Sequence, residues 1–460
     1  MTSWQAIGQI AREAKNYQTN NLRDRIVGNI YSKAEALAEK VVQRSAGTVN
    51  WDRRIDDVLT SPIWGFPIML LLLGVVFWLT IAGANVPSAM LADALFWGQD
   101  RLTELFMVWG APAWLHGVLV LGLYRGLAWV VSVMLPPMAI FFPCFTLLED
   151  LGYLPRVAFN LDRFFKKAGA HGKQALTMSM GFGCNAAGII ACRIIESPRE
   201  KMIAILTNNF VPCNGRFPTL IAVSTIFMGG AVGYTYGTMA AAGTVVLLVL
   251  VGIATTLAVS WFLSKTMLKG ETSSFTLELP PYRIPQIGQV IVRSIFDRTL
   301  FVLYRAVVIA APAGALIWIL ANVMVGDRSI VAHTAAWLDP FGRMLGMDGF
   351  IILAFILGLP ANEIVLPILI MSYLATGSML ELDSLDALRK LLLDQGWTWL
   401  TALNVLLFSL LHFPCATTLL TIRKETNSLK WPVVAFLLTT CVAILVTFFT
   451  TQGARLLGLV

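Results

Sequence analysis

Three cysteines stand where apolar segments of this chain are interrupted. Cys184 follows Gly181-Phe-Gly183 and precedes Asn185, Cys213 sits in Pro212-Cys213-Asn214-Gly215, and Cys415 follows Pro414. Thiols are soft ligands that suit soft and borderline metals. They bind after losing a proton, so affinity should rise with pH. A buried cysteine is often only a small packing residue, but three at three breaks ask for more. Asn185 and Asn362 each follow a break, and each can give an amide oxygen to a cation or cap the next half-helix. Glu363 lies inside an apolar segment, where an ionisable group is costly and points to function. Cys144, Cys192 and Cys441 lack this context and read as packing residues, and His412 reads as a hydrogen-bonded core histidine.

Such ligands need elements that open the backbone at membrane depth. Of the 460 residues, 57% are hydrophobic and only 13% charged, against about 25% charged in soluble domains. The composition predicts an all-α polytopic membrane protein, with about seven spans and two re-entrant hairpins. The net charge of +7 suits anionic lipid headgroups, and no basic groove interleaved with aromatics argues for nucleic acid. Residues 1–58 are polar, with Ile26, Ile30, Ala34, Leu37 and Val41 at helical spacing. That is a cytoplasmic amphipathic helix, either lying on a surface or coupling to a cytoplasmic partner. Nine basic residues from Arg12 to Arg54 precede the first span, which puts the N-terminus inside.

Spans are expected over 63–84, 114–145 (broken at Pro136-Pro137), 202–228, 237–264, 300–324, 397–422 and 431–451. Residues 85–112 are expected as an external segment, and 327–348 as an external loop. The first membrane half, 59–264, and the second, 299–460, flank a cytoplasmic loop at 265–298. Residues 175–192 are too short to break and still cross, and basic residues flank both ends, so they read as a hairpin entering from inside with its tip at Gly181–Asn185. About ten helical residues per arm reach roughly 15 Å, half the hydrocarbon core. Residues 350–374, broken at Gly358-Leu-Pro360-Ala-Asn362-Glu363 and followed by Glu381, Asp383 and Asp386, read as a second hairpin entering from outside.

The halves echo one another. Gly181-x-Gly183-x-Asn185 matches Gly358-x-Pro360-x-Asn362. Pro136 precedes the first break by 45 residues and Pro312 the second by 46, and a Pro-Cys pair follows each break. Hairpins entering from opposite sides are the mark of an inverted repeat with its substrate site at the interface near the midplane. Enzyme signatures are missing. Gly169-Ala-His-Gly-Lys-Gln lacks the first glycine and the Ser/Thr of a phosphate loop, so this chain is read as a transporter that does not hydrolyse nucleotides and carries no bound cofactor.

Leu147-Leu-Glu149-Asp150-Leu-Gly152-Tyr153, Gly181-Phe-Gly-Cys184-Asn185 and Cys213-Asn-Gly-Arg216-Phe-Pro218 together resemble the membrane domain of the ferrous iron transport protein B (FeoB) family. Arg54-Ile-Asp56 and Cys415-Ala-Thr-Thr fit the same pattern. Ala186-Ala187 and Asn214-Gly215 depart from the family's usual residues and suggest a subgroup. The resemblance implies Fe2+ as transported substrate, passing Cys184, Cys213 and Cys415 in a bacterial cytoplasmic (inner) membrane. It implies that Glu149 and Asp150, an acidic motif before the first gate, act in gating or coupling with Gly181, Gly183, Gly358 and Pro360. The chain starts about where that family's GTP-binding domain would hand over to the membrane, so that domain is expected either as a separate GTP-binding protein in trans or as a preceding part truncated from this sequence. A small cytoplasmic accessory protein is a further expected partner, and a homo-oligomer is compatible. Two other readings are a carrier of an organic solute such as a nucleoside and a non-transporting membrane anchor. The first should show polar and aromatic groups at the breaks instead of thiols. The second has no use for two broken hairpins.

Overall fold

The structure is a computed structural model that describes residues 19–41, 51–61, 63–229, 237–269, 281–379 and 385–459. Glu381, Asp383 and residues 270–280 of the expected cytoplasmic loop lie outside the described residues. So do residues 1–18 and 42–50 of the N-terminal segment. Among the described residues the fold is all-α apart from one short β-hairpin pairing Met324–Val325 with Arg328–Ser329. Six helices among the described residues are long and apolar enough to cross a membrane: Gly65–Val108, Ala113–Asp150, Met239–Lys265, Leu303–Asn322, Trp399–Thr426 and Lys430–Leu456. A bent pair, Ile330–Met344 with Gly349–Leu357 at 109°, brings the count to seven.

Several expectations are corrected. The predicted break after residue 84 is absent, and Gly65–Val108 is one helix of 44 residues with Pro87 inside it. At 1.5 Å per residue it runs about 66 Å, twice the hydrocarbon core. Its far half carries Asp93, Asp100, Arg101 and Glu104 and replaces the expected separate external segment. Pro136-Pro137 does not interrupt its helix, since Arg125–Asp150 holds Pro136, Pro137 and Pro143. Pro312 lies within Leu300–Asn322, inside its span as expected. Neighbouring groups in a membrane bundle can take up the carbonyls that a proline frees. The expected external loop contains the helix Ile330–Met344. The span 202–228 is interrupted around Pro212–Gly215, as expected. It breaks into Pro198–Thr207, two 3-10 turns and Phe217–Val223, with Val211 and Cys213 extended between them.

Both hairpins form. In the first, Lys173 Nζ donates to the Ile194 carbonyl (3.2 Å) and to Glu196 (3.3 Å), which closes the two arms at one end. In the second, the Tyr373 hydroxyl donates to Asp348 and the Phe350 and Tyr373 rings meet at 5.7 Å. The two mouths sit at opposite ends of the helix Lys430–Leu456, which is 27 residues or about 40 Å long. Arg193, beside the first mouth, pairs with Glu425 at 2.6 Å, just before that helix starts. Near its end, Gln452 and Arg455 donate to the carbonyls of Met344 and Arg343, beside the second mouth. Hairpins that open to opposite faces are the inverted arrangement expected from the sequence.

The N-terminal helix Thr19–Val41 leaves Ile26, Ile30, Leu37 and Val41 exposed. The following helix, Trp51–Leu59, is tied down. Asp56 accepts from Arg156 Nε (2.9 Å) and Nη2 (3.2 Å) and from the Tyr282 hydroxyl (2.7 Å). The Arg156 guanidinium stacks 4.1 Å from the Tyr282 ring. Burial pushes the Asp56 carboxyl up, but the bonds from Arg156 and Tyr282 outweigh it and hold the group below its ordinary value. A depressed carboxylate stabilises the fold above its unfolded pKa and loses that contribution as pH falls through the folded value. Docking of this helix should therefore weaken below about pH 4. Asp56→Asn should reproduce the loosening at neutral pH, read as faster proteolysis between residues 41 and 61, while the membrane helices stay protected.

Candidate ion site at the hairpin tips

The breaks that carry the cysteines are true interruptions. Helix Gln174–Gly183 ends, Cys184 is extended (φ −152°, ψ 126°), and Asn185–Ala191 begins. In the other half, Gly349–Leu357 ends and Ala361 is extended (φ −153°, ψ 124°) before Asn362–Ile364. Cys184 and Ala361 thus hold the same backbone conformation at matching repeat positions. Cys213 (ψ 168°) and Cys415 (ψ 158°) form a second matched pair, each extended ahead of the next half-helix. All three cysteines are N-cap residues. The thiols therefore stand at the starts of the half-helices. The capping alternative for the asparagines fails, because neither Asn185 nor Asn362 caps a helix.

The two tips meet around a small cavity of about 30 Å³, close to one water's share of volume. Cys184, Cys213 and Cys415 line it together with Asn185, Asn362 and Glu363. Gly183 and Pro360 also face it, whereas Gly181 packs on Asn208 and Gly358 on Val365. Asn362 Nδ2 leans toward Cys213 Sγ at 3.9 Å, and Cys415 Sγ contacts Thr418 Oγ1 at 3.2 Å. A Cβ on Gly215 would stand 2.5 Å from a Glu363 carboxylate oxygen, so a larger residue there would push the carboxylate from this position. Asn185 Oδ1 and Asn362 Oδ1 are buried with no hydrogen-bond partner. Each such atom costs about 1–3 kcal/mol, a cost that a cation in the cavity would relieve. Among the described residues, no three His, Cys, Asp or Glu side chains converge closely enough to hold a metal by themselves. A bound ion would need amide oxygens, backbone carbonyls or water beside the thiols.

Sequence reasoning missed Met134 and Met138, whose thioethers add soft ligands to the lining. Their spacing of four, astride Pro136-Pro137, was the available signal, because it puts both on one helix face. It also missed Arg216, which is 1% exposed and donates to five oxygens of the two crossing breaks. His412 is a core residue as expected. Its Nδ1 bonds the Phe408 and Ser409 carbonyls, and its ring packs on Phe355 and Phe413. Glu149 and Asp150 are exposed and do not reach the cavity. They line a separate groove of about 540 Å³ with Arg283, Gln286 and Arg293, eleven residues or about 16 Å along the helix from Met138.

Comparison with known proteins agrees with the repeat. A family model described as Gate, nucleoside recognition, matches residues 131–228 and 303–429, one segment in each half. A second, described as ferrous iron transport protein B C terminus, matches 245–297 between them. Relatives named Fe(2+) transporter FeoB include one from Leptospira biflexa serovar Patoc, 25% identical over 99% of this chain and 68% of its own length. Another from Staphylococcus aureus is 30% identical over 88% of this chain and 59% of the relative. A third from Synechocystis is 29% identical over 98% and 72%. The chain spans between 59% and 72% of the length of these curated relatives. No solved structure matches. With two gate segments, the intervening C-terminal segment and relatives that align along most of its length, the chain belongs to the FeoB family as a multi-pass membrane protein.

Proposed function

We propose that the chain is a permease for ferrous iron, with the ion passing the cavity where the two hairpin tips meet. The observation that carries this reading is the donor set there. Three cysteines, one glutamate and two asparagines whose amide oxygens lack hydrogen-bond partners line a space of about 30 Å³. Relatives named Fe(2+) transporters along most of the chain support the same substrate. A nucleoside is several times larger than the cavity, and thiols and thioethers are poor partners for one. Weak, incomplete ligation suits a conduction site, since the ion must leave as well as enter. Uptake of Fe2+ into liposomes holding the purified protein should exceed that of protein-free liposomes. Nucleoside uptake without iron uptake would overturn the reading.

We further propose that a GTP-binding protein, supplied in trans, regulates transport from the cytoplasmic face. The N-terminus then lies inside, and the membrane is the bacterial cytoplasmic one. The exposed apolar stripe Ile26, Ile30, Leu37 and Val41 supports a docking role for this segment. Deleting residues 1–45 should abolish GTP-dependent stimulation of iron uptake and leave basal uptake intact. Unchanged stimulation would remove the coupling role.

A further inference from the structure

We propose that Arg216 and Asn209 are positioning residues that lock the Asn185 amide so that its oxygen, not its nitrogen, is offered to the ion. This inference rests on the ion-path reading above. Arg216 can only donate hydrogen bonds, and a backbone carbonyl can only accept them. Arg216 Nη2 donates to Asn209 Oδ1 at 3.3 Å, and Asn209 Nδ2 donates to the His412 carbonyl at 2.8 Å. Those two partners leave Asn209 a single orientation. Its Oδ1 then faces Asn185, which must donate, and Asn185 Nδ2 does so at 3.0 Å. Asn185 Oδ1 is thereby left without a partner, on a residue that lines the cavity.

The guanidinium is itself fixed. Its Nη1 donates to the carbonyls of Asn209 (2.9 Å) and Leu410 (2.7 Å), and Nη2 also reaches those of His412 (3.1 Å) and Phe413 (3.3 Å). The Leu410, His412 and Phe413 carbonyls end the half-helix Trp399–Leu411 and follow it, so that helix break supplies three of the acceptors that hold the arginine. The second repeat has no such relay. Thr418 occupies the place three residues after Cys415 that Arg216 occupies after Cys213, and Asn362 has only the long contact to Cys213. The relay thus makes the first tip the rigid side of the site.

The test is Fe2+ uptake into liposomes, read as KM and maximal rate, for four variants whose folding is checked by thermal unfolding. Asn209→Leu frees the Asn185 amide and should raise KM by about 10–100-fold, as loss of an orienting partner does at metal sites. Asn209→Asp keeps an acceptor for both Arg216 and Asn185 and should stay near wild type, although it loses the His412 bond. A purely structural role would make Asn209→Asp as damaging as Asn209→Leu. Adding Asn185→Asp to Asn209→Leu should restore KM, because a carboxylate offers oxygen in either orientation. Wild-type KM in a folded Asn209→Leu protein, or no rescue by the double variant, overturns the relay. Asn185→Leu separates the two readings. A raised KM there with a normal Asn209→Leu defeats the relay alone, whereas a normal Asn185→Leu defeats the placement of Asn185 on the ion path.

Discussion

Replacing Cys184, Cys213 and Cys415 together with serine should lower Fe2+ uptake by on the order of a hundredfold, with protein levels and folding unchanged. Serine fills nearly the same space, so the packing around the cavity survives. What it removes is the soft ligand, because a hydroxyl oxygen is hard where a thiol sulfur is polarisable. The thiols stand at three different half-helix starts, reached from both repeats. No single one should therefore account for the whole loss, and Cys184→Ser and Cys415→Ser should each give a smaller decrease. Cys441 is exposed on the last helix and Cys192 is buried with its thiol on the Gly188 carbonyl. Cys441→Ser should leave uptake unaltered. Wild-type transport by the triple variant would make the thiols packing residues.

Glu363→Gln should be nearly as damaging, at about 10–100-fold in the KM for Fe2+. Glu363 is the one acidic residue among those lining the cavity and is 7% exposed. Glutamine keeps its length and one oxygen, so the change removes charge and little else. The charge matters because Arg216 sits buried nearby, and its hydrogen bonds all go to neutral oxygens. A divalent cation approaching neutral thiols and a fixed positive charge needs a negative partner. Transport by Glu363→Gln with unchanged KM would place the carboxylate outside the ion path.

The breaks, both hairpins and six of the residues lining the cavity were legible because each is a local event. A glycine pair, a proline or a polar residue in an apolar run changes the backbone where it stands. The inverted arrangement was legible from loop charge. Arg216 was visible in the sequence, but its role was not, because its acceptors at Leu410 and His412 lie about two hundred residues away. Met134 and Met138 were hidden among the apolar residues of a membrane helix. The prolines misled for the same reason. Whether Pro136-Pro137 breaks a helix depends on what neighbours offer the freed carbonyls, and a single chain read in order does not show neighbours. Glu149 and Asp150 belong to a different groove, a separation that only the helix length between them and Met138 makes plain.

Iron-edge X-ray absorption on the purified protein loaded with Fe2+ tests the central claim most directly. Sulfur beside oxygen is expected around the iron, with loss of the sulfur contribution in the triple serine variant. A shell of oxygen and nitrogen alone in the wild-type protein would contradict an ion site at the meeting of the hairpin tips.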